Sequence, residues 1–99
     1  MAAQLLADLK AVRALLAEPT VWCGPHRECD ILGQSRCLAC LIWDGAKGGF
    51  GSAYRAVSKT LRGDELSLWE RDSRRTHSDV ITLLDTTIAR IEKEAGNVD

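Results

Sequence analysis

Apolar residues recur at helical spacing near the start of the chain. Pro19 cannot continue a helix and disfavours helical backbone at the preceding residue, Glu18. Intervals of three and four residues place side chains on one face of an α-helix. Between Ala2 and Glu18 the large apolar residues with this spacing are Leu5, Leu6, Leu9, Val12, Leu15 and Leu16. The pattern therefore predicts an amphipathic helix that ends at Glu18.

A second periodic stretch lies near the end of the chain, between Thr76 and Gly96. Thr76 and Asp79 have the spacing of a capping box, in which two side chains accept hydrogen bonds from backbone N–H groups at the start of a helix. The apolar residues that repeat at three and four are Val80, Ile81, Leu84, Ile88 and Ile91. The spacing predicts a long helix that Gly96 ends.

The middle of the chain contains an almost unbroken apolar stretch over residues 36–43. Ser35 is a plausible N-cap for a helix there, and Asp44-Gly45 would close it. A helix that is apolar on most faces is typically buried. We therefore expect residues 36–43 to form a core helix.

A glycine-rich loop over residues 44–52 follows this helix, and Ser52 could cap the next one. Gly63 stands where a C-terminal glycine is common. A short turn of helix is predicted over residues 65–69. The residues predicted to share one face of the third helix are Tyr54, Val57, Ser58 and Leu61.

These elements predict an all-α fold, because no segment alternates apolar and polar residues long enough for a sheet. The predicted architecture is one small helical domain over residues 1–99 with about four helices and an irregular middle rich in Cys and Gly. Residues 19–34 form its irregular segment. Trp22, Trp43 and Trp69 lie in three different segments, and we expect these large rings to pack in the core.

The composition excludes several classes of protein. With 45% hydrophobic and 27% charged residues the chain is too apolar to be disordered. A net charge of -1 argues against a nucleic-acid binder that works by bulk charge. No apolar run approaches the roughly 18 residues of a membrane span, and the N-terminus lacks the pattern of a secretory signal. We therefore expect a cytoplasmic protein with reduced cysteines and no membrane segment.

Charge is distributed unevenly, with net values of -1 over residues 1–44, +3 over 45–76 and -3 over 77–99. Such a basic stretch could bind an acidic protein surface or phosphate groups. The commoner outcome for such a stretch is a solvated face, which the acidic last helix would partly neutralise here. The candidate partner-binding residues are Arg55, Lys59, Arg62, Arg71, Arg74 and Arg75.

The four cysteines lie close together in the sequence, at positions 23, 29, 37 and 40. Zinc prefers four thiolate or imidazole ligands in a tetrahedron, and Cys23, His26, Cys37 and Cys40 could supply them. Alternatively, Cys37 and Cys40 are small core residues. A third interpretation is a redox pair, since a helix N-terminus lowers a thiol pKa.

No segment carries a recognisable catalytic motif. Gly48-Gly-Phe-Gly-Ser52 precedes a predicted helix, where glycine-rich loops can bind phosphate. However, no strand precedes it, and the lysine of a phosphate-binding loop is missing. The sequence therefore indicates a non-enzymatic protein.

Three short motifs resemble those of a family of small actinobacterial and actinophage domains of unknown function. They are Trp22 with Gly24, then Cys37-Leu-Ala-Cys40-Leu-Ile, which is similar to that family's Cys-Ala-Leu-Gly-Ala-Ile, and Leu68-Trp69 with Asp72 before Arg75-Thr76. The resemblance covers Leu5 to Ile91. The chain departs from the family at Cys40, where Gly is typical, and at Asp72, where the family has Asn-Asp.

The resemblance implies a helical accessory protein of bacterial or phage origin and no particular reaction. Together with the basic middle, it favours a non-enzymatic protein that binds a protein partner. The alternative is a zinc-stabilised module that contacts nucleic acid. A homodimer formed through the first or last helix also stays open.

Overall fold

A computed structural model describes residues 2–18, 21–22, 37–46, 49–62, 65–72 and 74–96. In these ranges the chain forms five helices and no strand, which confirms the predicted all-α fold. The helices are α1 (Ala2–Leu15), α2 (Leu38–Gly45), α3 (Phe50–Thr60), α4 (Leu66–Glu70) and α5 (His77–Gly96). The predicted irregular segment at 19–34 lies outside the described residues, apart from Val21 and Trp22.

The two long helices pack against each other and form one side of the core. Leu9 and Val12 of α1 and Val80 and Leu84 of α5 are fully buried, as the apolar spacing predicts. Leu15 is an exception, because 38% of it is exposed. At the end of this helix pair, His77 Nε2 donates a hydrogen bond to the carbonyl oxygen of Leu16 (2.6 Å).

The predicted capping box at the start of α5 is confirmed. The backbone N–H of Thr76 donates to Asp79 Oδ2 (2.9 Å), and the N–H of Asp79 donates to Thr76 Oγ1 (3.2 Å). Each side chain therefore satisfies a backbone donor that the helix itself leaves without a partner.

Helix α2 has the predicted length of eight residues but begins and ends two residues later. Its N-cap is Cys37, so the prediction of Ser35 as the cap is wrong, and Ser35 itself lies outside the described residues. The buried residues of α2 are Leu38, Leu41, Ile42 and Gly45, which have helical spacing along one face. The helix is therefore buried on one face only, and its opposite face reaches solvent.

Gly45 allows the close approach of α1 and α2. A Cβ atom at this position would lie 2.7 Å from Val12 Cγ2 and 2.9 Å from Val12 Cα. Both distances are shorter than the contacts that Cβ atoms make in close-packed proteins, and one of the contacted atoms belongs to the backbone. Any side chain at position 45 would therefore push the helices apart.

The described part of the predicted glycine-rich loop over residues 44–52 is largely helical. Asp44 and Gly45 belong to α2, and α3 already begins at Phe50 with Gly49 as its N-cap. Ser52 thus lies within the first turn of α3 and is not its cap, contrary to the prediction.

Helix α3 ends one residue earlier than its glycine suggests. Arg62, just after the helix, has left-handed backbone, with φ of 56°. Gly63 lies outside the described residues. An L-residue in this conformation is strained, because its Cβ approaches backbone atoms closely.

Of the three tryptophans predicted to pack in the core, only Trp22 is buried, with 8% exposed. Trp69 is half-buried against the core. Trp43 is 66% exposed, so its predicted burial is wrong. One residue turns a helix by about 100°, so Trp43 faces away from the core although the preceding Ile42 is buried.

Candidate interaction surface

The six cations predicted to bind a partner fall into two groups in the structure. Arg55, Lys59 and Arg62 belong to the exposed side of α3 and the residues just after it. Their side chains make no hydrogen bond or ion pair with any described residue. Arg71 is also exposed. We call Arg55, Lys59 and Arg62 the cationic strip.

The other two cations, Arg74 and Arg75, make contacts within the chain. Arg75 Nε donates to the carbonyl oxygen of Trp69 (2.8 Å), and its guanidinium lies 4.0 Å from the centre of the Trp69 ring. Both arginines also pair with Asp72, at 3.4 Å for Arg74 and 3.7 Å for Arg75. Arg75 is therefore a cation–π and hydrogen-bonding element of the fold, and Arg74 and Arg75 differ from the cationic strip in that both pair within the chain.

The contact between Asp72 and Arg74 shifts the pKa of both side chains. The backbone N–H of Arg74, followed by its guanidinium, lowers the pKa of the Asp72 carboxyl below its ordinary value. In return, Asp72 raises the pKa of Arg74. Both groups are accessible to solvent, so the pair orders the turn and adds little to stability.

The acidic residues of α5 do not neutralise the cationic strip. Asp85 pairs with Arg13 at 2.8 Å, Glu92 with Lys10 at 3.6 Å, and Glu94 with Arg90 of the same helix at 3.4 Å. Asp79 is used in the capping box. The acidic residues of α5 therefore do not pair directly with the three cations of the strip, and a solvated face remains the alternative to a binding surface.

Contacts with α5 fix the orientation of α3, and hence of the cationic strip. Thr87 is fully buried, and its hydroxyl lies 2.7 Å from that of Thr60. Arg90 donates to the carbonyl oxygen of Ala56 (2.7 Å) near the C-terminus of α3, where a cation is favoured by the helix dipole. These bonds hold the opposite side of α3 against the core, so the strip points outward.

A row of aromatic rings joins α2 to α3. The ring centres of Trp43 and Phe50 lie 5.5 Å apart at an interplanar angle of 61°, and those of Phe50 and Tyr54 lie 5.5 Å apart at 39°. Phe50 and Tyr54 also pack against the core. We call these three residues the aromatic row. It was missed in the sequence because an apolar stretch without period does not show which residue faces solvent.

The predicted zinc ligands are only partly within the described residues. Cys37 and Cys40 are half-buried and form no disulfide, whereas Cys23 and His26 lie outside the described part. No group of three metal-binding side chains occurs among the described residues. The four-ligand zinc site therefore stays a prediction, which zinc analysis of the purified protein would test.

The redox interpretation of Cys37 and Cys40 depended on a lowered thiol pKa at the start of α2. Instead, burial raises the pKa of the Cys37 thiol to about 12, and the nearby Cys40 thiol and Glu70 carboxylate add to the increase. The backbone N–H of Cys40 opposes this effect without reversing it. Cys37 is thus protonated at neutral pH, which is the opposite of an activated nucleophile.

Glu70 is a buried carboxylate that sequence reasoning missed. It is 7% exposed, and its Oε2 atom accepts hydrogen bonds from Trp22 Nε1 (2.7 Å) and from the backbone N–H of Leu38 (2.6 Å). Leu38 is the first residue of α2, so Glu70 caps this helix from a distant part of the chain. It joins α4, α2 and the Trp22 segment, and nothing local in the sequence indicates these contacts.

A shallow pocket of about 230 Å³ lies between the end of α3, α4 and α5. The polar groups of Arg75 and Asp79 in its wall are already bonded to Trp69 and Thr76. The lining residues are Thr60, Leu61, Trp69, Arg75, Asp79, Thr82, Leu83 and Thr86. The lining of this pocket therefore indicates no particular ligand or reaction.

Fold and surface together define a small all-α domain with an outward-facing aromatic and cationic surface on α2 and α3. The chain belongs to the family of unknown function DUF6197, whose model matches residues 1–90. This confirms the resemblance to a domain family of unknown function. Comparison with curated proteins and with solved structures finds no match. No helix in the described ranges is long and apolar enough to cross a membrane.

Proposed function

We propose that this domain binds another protein, without catalysing a reaction, and that the cationic strip on α3 contacts an acidic surface of that partner. The observation that supports this is the pairing pattern of the charges. The acidic residues of α5 pair with cations on α1 and α5, whereas Arg55, Lys59 and Arg62 have no partner among the described residues. Those three cations remain available for a second molecule.

The strip also has the geometry of a recognition surface. Arg55 and Lys59 are four residues apart on one helix, so they are neighbours on the same face. The face opposite them carries Ala53, Ala56 and Val57, which are buried. Because the helix is fixed to the core, little conformational entropy is lost when its outer face is contacted.

Charges at the rim of an interface mainly speed association and select the partner. Exposed ion pairs contribute about 0.2–1 kcal/mol each, so three of them cannot supply tight binding alone. The screening length is about 8 Å at physiological ionic strength. We therefore expect partner binding to weaken with added salt. The sequence motifs described above suggest actinobacterial or phage origin, and we propose that the domain is an accessory protein in such cells.

The experiment is a quantitative pull-down from a lysate of the source organism with tagged protein. A variant with Arg55→Glu and Lys59→Glu is compared with a control with Lys10→Glu and Lys93→Glu, which has the same change in net charge at exposed sites away from α3. We expect the first variant to lose a partner that the parent and the control both retain. Equal recovery of every partner by all three proteins would contradict the proposal.

A further inference from the structure

The most exposed aromatic residue of the described chain is Trp43, near the end of α2. Trp43 is 66% exposed, although the neighbouring Leu41 and Ile42 on the same helix are buried. Indole rings are strongly enriched among the residues that contribute most to protein interfaces, because they bury a large area at small entropic cost. An exposed Trp on a fixed helix therefore points to a ligand that covers it.

The aromatic row supports Trp43 from below. Its edge-to-face contact with Phe50 and the contact of Phe50 with Tyr54 hold the three rings in sequence across the junction of α2 and α3. Phe50 and Tyr54 are themselves packed against the core. The row is therefore a rigid apolar platform, and a ligand that binds there need not order it first.

Two of the cations lie on the helix that carries Phe50 and Tyr54. Arg55 directly follows Tyr54, and Lys59 is one turn further on. A helix rises about 1.5 Å per residue, so Arg55 and Lys59 are roughly 6 Å apart along the axis. Alternate residues of an extended peptide are spaced by about 6.6 Å. Two carboxylates on one side of a short segment would thus match the two cations.

We propose that the ligand of this surface is a short acidic segment of the partner protein that carries an apolar anchor residue. The anchor packs on the aromatic row at Trp43, and the acidic side chains pair with Arg55 and Lys59. This inference rests on the proposed function and adds the chemistry of its ligand.

The ring geometry favours a peptide over a single-stranded nucleic acid. Successive bases stack on aromatic faces that are accessible and aligned, whereas these rings are inclined to each other by 61° and 39°. Binding of an oligonucleotide is therefore an outcome that the experiment must exclude.

The test is selection of a random 12-residue peptide library displayed on phage against the immobilised full chain. Affinities of the enriched peptides are then measured by fluorescence anisotropy for the parent, Trp43→Ala, and Leu68→Ala. Leu68 on α4 is 67% exposed and serves as a matched control for loss of an exposed apolar side chain. A fluorescent dT20 oligonucleotide is measured beside them.

We expect enriched peptides that combine Asp or Glu with a large apolar residue, and about tenfold or greater weakening by Trp43→Ala. Leu68→Ala should change affinity less than about twofold, because single exposed contacts outside the interface contribute little. The variant with Arg55→Glu and Lys59→Glu should also lose binding, which keeps the test valid if Trp43→Ala alters folding.

Three results would overturn the inference: no enrichment, enriched peptides that tolerate Trp43→Ala, or tighter Trp43-dependent binding of dT20. Each of them is distinguishable from failure of the proposed function. If the pull-down still depends on Arg55 and Lys59, the domain binds a protein through charge, and only the acidic segment with an apolar anchor is wrong as its ligand.

Discussion

Replacement of Glu70 tests how Trp22 is attached to helices α2 and α4. In Glu70→Ala, Trp22 Nε1 and the N–H of Leu38 both lose their acceptor, at a site where Glu70 and Trp22 are 7% and 8% exposed. A hydrogen bond to a charged group contributes about 1.5–3 kcal/mol. Loss of both bonds should therefore lower the free energy of unfolding by about 3–6 kcal/mol, which is a large share of the ~5–15 kcal/mol of a typical domain.

Glu70→Gln separates the acceptor from its charge. Both bonds reach the same oxygen, Oε2, so the amide oxygen of Gln can accept both. Charge-assisted bonds are roughly twice as strong as neutral ones, and we expect a loss of about 1–3 kcal/mol. Urea unfolding followed by far-ultraviolet circular dichroism gives each value.

A double-mutant cycle with Trp22→Phe isolates one of the two bonds. The Phe ring keeps much of the buried area but has no N–H donor. Trp22→Phe should therefore lower the free energy of unfolding less in the Glu70→Ala background than in the parent, because the hydrogen bond is already missing there. We expect a coupling energy of about 1–3 kcal/mol. Equal losses for Gln and Ala at position 70, or no coupling to Trp22, would refute the reasoning.

Three further predictions concern packing, backbone and ionisation. Gly45→Ala should destabilise the protein by about 1–3 kcal/mol through its clash with Val12. Gly51→Ala, with no atom within 4 Å of the added Cβ, should instead stabilise α3 by about 0.5–1 kcal/mol. Urea unfolding measures both changes in the free energy of unfolding, and two changes of the same sign would contradict the close packing at Gly45. Arg62→Gly should raise the melting temperature by relief of left-handed strain, and a lower value would contradict the strain. The pKa of the Cys37 thiol is about 12 in the folded state and near 9.0 in the unfolded state, so the stability that this thiol contributes is fully present below pH 9.0 and is lost between pH 9.0 and about pH 12. The free energy of unfolding, measured at several pH values, should therefore decrease less at alkaline pH for Cys37→Ala than for the parent. The same pH dependence in both proteins would contradict this prediction.

Elements with local signals are predictable from the sequence. The stripes of α1 and α5 show which residues are buried because each has a polar side that contrasts with it. The capping box of Thr76 and Asp79 is found because both partners lie within one turn. In these cases the interacting residues are close in the sequence, so their spacing is enough to predict the contact.

The features that the sequence does not predict depend on contacts between distant residues, or on a shift of one residue along a helix. Residues 36–43 have no apolar period, so the exposure of Trp43 cannot be predicted from them. Glu70 resembles any surface acid until its contacts with Trp22 and Leu38, 48 and 32 residues away, are known. Likewise, only the backbone shows that Arg62 takes the conformation expected of Gly63.

The cationic strip illustrates both cases. Its residues are evident from the charge distribution, but which cations are available depends on pairing. Arg74 and Arg75 have a partner within four residues in Asp72, and this could have been suspected from the sequence. That the acids of α5 pair with α1 and not with α3 follows only from how the helices pack.

NMR shows whether the outer face of α2 and α3 is the binding surface. Side-chain indole signals of Trp22, Trp43 and Trp69 and backbone amide signals are followed while a captured partner or a selected peptide is added. We expect shifts at Trp43, Arg55 and Lys59, with Trp22 unchanged because Glu70 holds it in the core. Shifts confined to α1 and α5, with the Trp43 indole signal unmoved at saturation, would contradict it.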